Sequence, residues 1–179
     1  MKNTSKVKTI KDIIIMKRVI DNAKYHHPEN TSIHGAWIEG NCQVVTDAYR
    51  LLANYNPIAE LETAKGINGM IEKIKYAELN CTKEIELPSI KEIKEEIKKL
   101  IGRKYKSYCV KYRIYEDMFC VNAKYLLDCM EFTGATKLKY NPNRRKNDML
   151  LMESDTGKAI LLPIYDTTNN IGYWKTEIR

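Results

Sequence analysis

The sequence predicts an α+β fold of two helix-plus-three-strand repeats, their helices packed on one face of a mostly antiparallel sheet. Three observations carry this. Residues 9–57 read in the order helix, strand, strand, strand, and residues 118–165 read in the same order. Apolar residues recur at helical spacing at the head of each stretch and in short, turn-bounded runs after it. Thr46-Asp47-x-x-Arg50 in the first stretch matches Ser154-Asp155-x-x-Lys158 in the second, both where the second strand meets the third. Together these suggest an internal duplication within one domain spanning residues 1–179.

In the first unit, Thr9 to Ala23 reads as an amphipathic helix. Ile13, Met16, Ile20 and Ala23 fall three and four apart, so they share a face. Lys11 and Arg18 share another face, with Lys17 beside it. Tyr25-His26-His27-Pro28 ends the helix. The adjacent histidines read as loop residues, because neighbours in sequence do not converge easily on one ion and no third ligand is spaced nearby. Ser32–Ile38 is a predicted strand and Glu39-Gly40-Asn41 a turn. Cys42–Thr46 is a second strand, and Tyr49–Tyr55 a third that stops before Pro57.

The insert, residues 58–117, fits neither unit. A mixed region around Ile67-Asn68-Gly69-Met70 gives no clear element. Ser89 to Leu100 is a helix: Pro88 precedes it, Ser89 can cap it, and Ile90, Ile93, Ile97 and Leu100, with Ile101, form its stripe. Its other face mixes Lys and Glu and reads as solvated; Gly102 ends it. Lys106 to Tyr115 alternates, with Tyr108, Val110, Tyr112 and Ile114 on one side and Ser107, Cys109, Lys111 and Arg113 on the other, a half-buried strand. Tyrosines beside basic residues can stack on single-stranded nucleic acid. A Tyr-rich core face with a basic solvent face explains the same letters more simply. Glu116-Asp117 turns the chain.

In the second unit, Asn122 can cap a helix whose stripe is Leu126, Leu127 and Met130, and Thr133-Gly134 ends it. Lys137–Tyr140 is a strand turned by Asn141-Pro142-Asn143. Met149–Glu153 is the next, and Asp155-Thr156-Gly157 turns into Ala159–Ile164. Residues 166–179 form a tail.

Composition narrows the class. With 44% hydrophobic residues, 179 residues can bury a core, which argues against global disorder. No apolar run is long enough to span a bilayer, and the start MKNTSKVKTIKD lacks an apolar h-region, so neither a membrane span nor a signal peptide is expected. The five cysteines, Cys42, Cys81, Cys109, Cys120 and Cys129, are odd in number and form no CxxC pair. Reduced thiols in a cytoplasm are the expectation, with no zinc site and no cofactor. Net charge is +7, from 30 Lys and Arg against 23 acids, which permits attraction to a polyanion but also describes an ordinary Lys-rich surface.

Motifs for chemistry are scarce. Gly157-Lys158 lacks the upstream glycine and the Ser/Thr of a phosphate loop, and neither HExxH nor GxSxG occurs. Asp47 and Asp155 form paired carboxylates if the two corners meet, which would make a small enzyme. Otherwise each aspartate fixes its turn by accepting backbone amides. A binding module is the expectation, and the enzyme its alternative.

The run Val44-Val45-Thr46-Asp47-Ala48-Tyr49-Arg50-Leu51-Leu52-Ala53 resembles the ATDGHRLA signature in the middle domain of bacterial DNA sliding clamps, the beta subunit of the replicative polymerase. The Met16–Ile20 helix and the Ser32–Glu39 strand fit the same domain. Phe119 to Tyr165 resembles that protein's last half-domain. Its FNxxYLLD-type helix start stands here as Val121-Asn122-Ala123-Lys124-Tyr125-Leu126-Leu127-Asp128, and its VMPM-type closing strand as Leu161-Leu162-Pro163-Ile164. The likeness covers residues 9–57 and 118–165.

The resemblance implies a DNA clamp-like domain and a non-catalytic role in replication or repair. Clamps are rings of six such domains whose basic helices slide over the phosphates of duplex DNA without reading sequence. It makes Lys11, Lys17, Arg18 and Lys124 the candidates for facing DNA. Clamp partners dock a short peptide in a hydrophobic pocket that the TDxxRL corner and the closing strand help to form. Thr46, Tyr49, Arg50, Leu51, Leu162 and Ile164 are its candidates here. The chain departs from the family in carrying about one domain instead of three, so a ring needs a homo-oligomer of six copies. Ala48 stands where the signature has glycine and Tyr49 where it has histidine. Asp128 and Glu131 lie beside Lys124, which is poor for gripping phosphate. A clamp-domain mimic acting as adaptor or inhibitor without DNA is therefore an alternative to a working ring, and so short a clamp suits a phage or other mobile element.

Overall fold

A computed structural model describes residues 2–64, 69–101, 111–114, 119–143 and 148–164. Residues 106–110 of the predicted Tyr-rich strand, its turn at Glu116-Asp117, Gly102 and the tail from 166 lie outside the described residues.

Helix α1 is Lys2–His26, β1 Trp37–Glu39, β2 Cys42–Thr46 and β3 Arg50–Asn54; α2 is Met70–Asn80, β4 Lys83–Glu86 and α3 Ile90–Ile101. The chain continues with β5 Lys111–Ile114, β6 Phe119–Asn122, α4 Ala123–Thr133, β7 Lys137–Tyr140, β8 Leu150–Ser154 and β9 Gly157–Leu161. Seven strands form one sheet in the order β1-β2-β3-β9-β8-β7-β4, every pair antiparallel, and β5 pairs with β6 in a small separate ribbon. The two predicted strand triplets thus meet through their last strands, β3 against β9, with Arg50 opposite Leu161 and Asn54 opposite Gly157.

The alternation of the strands sends side chains to two buried faces, because successive residues point to opposite sides. Val45, Leu52, Met152, Ala159 and Leu161 face the helix layer, where Met16, Val19 and Ile20 of α1 and Leu126 and Met130 of α4 meet them. Val44, Leu51, Ala53, Leu151 and Ile160 face the other way and are covered by Ile74 and Ala77 of α2. Helices therefore cover both faces, which corrects the one-face expectation. The insert supplies the reason: it builds α2 on the far face, adds β4 to the sheet edge beside β7, and sends α3 back to pack on α4 through Ile93 and Ile97. The helix layer runs α1, α4, α3.

Local chemistry sets the α4 boundaries. The Asn122 carboxamide oxygen accepts from the Lys124 amide at 3.0 Å. Gly134 takes φ +72°, the left-handed conformation that only glycine adopts without steric cost, and its amide closes the last turn on the Met130 carbonyl. At α3, Ser89 and Glu92 form a reciprocal capping box: the Glu92 amide donates to the Ser89 hydroxyl and the Ser89 amide to the Glu92 carboxylate. Several sequence boundaries move. Strand β9 runs Gly157–Leu161, earlier than the expected Ala159–Ile164, because pairing with β3 and β8 begins at Gly157, so Ile164 lies beyond the strand. Helix α1 begins at Lys2, before Thr9. The predicted Ser32–Ile38 strand is instead a short 3-10 turn, Thr31–Ile33, followed by β1. Ala36 is drawn off by a parallel bridge to Thr63, its amide donating to the Glu62 carbonyl at 2.7 Å.

The matched corner motifs do not share a turn. Thr46 pairs with Leu51 across a four-residue loop, whereas Ser154 pairs with Gly157 across a two-residue one. Nor do Asp47 and Asp155 meet. Antiparallel pairing of β3 with β9 puts the first at one end of the central pair and the second at the other, roughly 15 Å along the strands. The paired-carboxylate arrangement fails on this topology.

Candidate functional site

The Thr46–Arg50 corner is built from its own side chains. The Asp47 carboxylate, fully buried, accepts from the Tyr49 and Arg50 amides at 3.1 and 2.9 Å and from Arg50 Nε at 3.1 Å. The Thr46 hydroxyl donates to the Arg50 carbonyl at 2.7 Å and accepts from the Ala48 amide. These bonds hold Ala48 at φ +70°, the left-handed region that favours glycine. Asp47 acts as the turn-fixing residue of the two readings.

Arg50 is equally buried and reaches across to α4, where its Nη1 donates to Asp128 at 2.5 Å. The same Asp128 carboxylate pairs with Arg18 of α1, whose side chain is half exposed. Burial pushes the Asp128 carboxyl above its ordinary range, and the two guanidiniums, Arg50 first, pull against that rise. The Arg50 guanidinium also lies 4.2 Å from the centre of the Tyr125 ring. Asn22 of α1 completes the knot, donating to Asp47 and placed 2.9 Å from the Tyr125 hydroxyl.

Glu131, one turn further along α4, is bridged by Lys11 of α1 at 3.4 Å and Lys94 of α3 at 2.5 Å. Burial works to raise its carboxyl, yet the bond from Lys94 and the charge of Lys11 outweigh it and hold it below the ordinary value. The two acidic residues of α4 are thus internal ties of the helix layer. They are not a solvent-facing negative patch. Of the candidates for facing DNA, Lys11 and Arg18 are engaged by these acids, while Lys17 and Lys124 are exposed without an ion pair among the described residues.

On the far side of the corner lies an apolar cavity of about 220 Å³. Thr46, Arg50, Leu51 and Leu162, four of the six predicted pocket residues, line it. The other two do not. The Tyr49 ring turns toward the helix layer and stacks on Tyr125, with ring centres 6.0 Å apart, beside His26 and His27. Ile164 is held at the β5–β6 ribbon, its amide donating to the Cys120 carbonyl at 2.6 Å. Leu162 is fixed at the mouth by its amide bond to the Tyr49 carbonyl, 2.9 Å, with its side chain 37% exposed.

The remaining walls come from residues the sequence did not single out. Ile160 shares a sheet face with Leu51, and Met149 stands just before β8. Ile33 arrives from the 3-10 turn. Met70 and Lys73, three apart on α2, close the far side. Helix α2 is itself fastened: Glu78 pairs with Lys158, and the Cys81 thiol donates to the Met149 carbonyl at 3.2 Å. Cysteines 42, 81, 120 and 129 are free thiols, and among the described residues no group of side chains is arranged to hold a metal. No described helix is long and apolar enough to cross a membrane.

Sheet and helix layer together define a clamp-like fold. The chain is similar to the solved structure of the Helicobacter pylori beta clamp bound to a DNA ligase peptide, with a TM-score of 0.51 at 14% identity. The match covers 88% of this chain and 63% of that one, so the chain accounts for less than two thirds of the clamp's length. At that identity the likeness is one of fold. No protein-family model and no curated protein matches the sequence.

Proposed function

We propose that the protein is a non-catalytic, clamp-like docking module of DNA replication or repair, and that the cavity between the Thr46–Arg50 corner and α2 takes apolar side chains of a partner's peptide. The observation that carries this is the cavity itself, with four resemblance-implied residues on its wall. Its 220 Å³ is below the range of roughly 300–1,000 Å³ usual for small-molecule sites, and suits one or two side chains. The solved clamp structure that shares the fold holds a DNA ligase peptide, which supports a peptide as the class of ligand.

The test is fluorescence anisotropy with short labelled peptides carrying two adjacent apolar residues. Leu162→Asp puts a charge at the apolar mouth without touching the core, and should weaken binding by about tenfold or more. Peptide affinity unchanged by Leu162→Asp would remove the cavity as the docking site.

A second reading, a ring of several copies around duplex DNA, is supported by exposed Lys17 and Lys124 on the helix layer. It predicts a hexamer by light scattering. It also predicts that Lys17→Ala with Lys124→Ala flattens the logarithmic salt dependence of DNA binding by about two for each copy that contacts the DNA. A monomer that ignores DNA at low salt sinks the ring and leaves an adaptor or inhibitor. The use of Lys11 and Arg18 as internal ties favours the docking role over the ring.

A further inference from the structure

We infer that the partner peptide carries an acidic residue next to its apolar anchor, and that Lys73 reads it; this rests on the docking reading above. Among the described residues the cavity wall holds two cations, Arg50 and Lys73, and no carboxylate. Arg50 is buried and neutralised from behind by Asp47 and Asp128, so its charge is already answered inside the protein. Lys73 is exposed at the rim and has no ion pair among the described residues. The next residues along α2 do not supply one: Glu72 pairs with Lys75, and Glu78 with Lys158. An apolar cavity whose uncompensated rim charge, among the described residues, is the Lys73 ammonium complements an apolar side chain followed or preceded by a carboxylate.

The helix position that carries that charge is fixed. Met70 and Lys73 sit three apart on one helix face, so the apolar wall and the cation move as a unit. The helix is pinned at its far end through Glu78 and Cys81. A peptide seated against Met70 and Leu162 therefore has the Lys73 ammonium within a side chain's reach, and discrimination comes from that charge together with the apolar fit.

Three labelled peptides with the same two apolar residues, flanked by Asp, Asn or Lys, test this by anisotropy on the full chain. The Asp peptide is expected to bind about fivefold tighter than the Asn peptide at low salt, with the gap closing as salt rises. Lys73→Met should abolish that gap, the Asp and Asn peptides binding the variant equally, and Lys73→Glu should turn the preference toward the Lys peptide. Lys73 is exposed, and circular dichroism of both variants checks that the fold is kept. Equal affinity for the Asp and Asn peptides, or a gap that persists in Lys73→Met, overturns the inference and leaves docking intact. Failure of all three peptides to bind overturns docking and the inference together.

Discussion

Single residues carry much of the strain and the charge. Ala48 sits in the left-handed region, which costs an L-residue with a Cβ roughly 1 kcal/mol more than it costs glycine. Ala48→Gly is expected to stabilise the protein by about 0.5–1 kcal/mol in urea unfolding. Gly157 is the opposite case. A Cβ there would stand 2.7 Å from the Ala53 carbonyl oxygen and 3.0 Å from the Phe132 ring, so Gly157→Ala should destabilise by about 1–3 kcal/mol. The sequence presented Gly157 as an incomplete phosphate loop. Its requirement is close packing of β9 between β3 and α4, a tertiary fact no local pattern contains. The arginines divide by burial. Arg50→Ala removes the buried cation shared by Asp47 and Asp128 and should cost about 3–5 kcal/mol, whereas Arg18→Ala, at a half-exposed position, should cost about 1 kcal/mol or less.

At the scale of elements, legibility followed local turn and cap chemistry. Strands β2 and β7 and the caps of α4 fall where pattern and turn chemistry put them, because Asn122, Gly134 and the apolar runs act locally. Helix α2 and strand β4 were not legible. The described part of α2 buries only Ile74 and Ala77, and β4 is a charged edge strand with Ile85 as its sole apolar residue. Yet α2 supplies a wall of the cavity, which is why half of that site was invisible beforehand. Its seating can be followed at Cys81, whose thiol burial pushes up to about 11. At pH 8 about one molecule in a thousand would carry the reactive thiolate. Native Cys81 should therefore alkylate far more slowly than in the unfolded chain, and Glu78→Ala, which cuts the tie to Lys158, should speed that labelling as read by mass spectrometry.

Across the whole molecule, the α+β class and the antiparallel sheet were readable from element order. The layer count was not. Burial of both sheet faces depends on an insert that returns to the fold from a distance, and sequence periodicity speaks only of an element's own faces. The sheet's outer edges differ in kind. The β4 edge is lined by Lys83, Glu84 and Glu86, charges that discourage pairing with another chain, while β1 is only three residues long and exposes Ile38. Any association of copies through a sheet edge is therefore expected at β1, and Ile38→Lys should shift light-scattering mass toward the monomer.

Asp128 gives the molecule a property that neither surface has alone. One carboxylate answers two guanidiniums, Arg18 from the helix face and Arg50 from the cavity corner. It is a thermodynamic crosslink: whatever draws Arg18 outward changes how firmly Arg50, and with it the corner, is held. The Arg18→Ala and Arg50→Ala costs should therefore fail to add by about 0.5–3 kcal/mol, and a double-mutant cycle measures the strength with which one side of the protein senses the other.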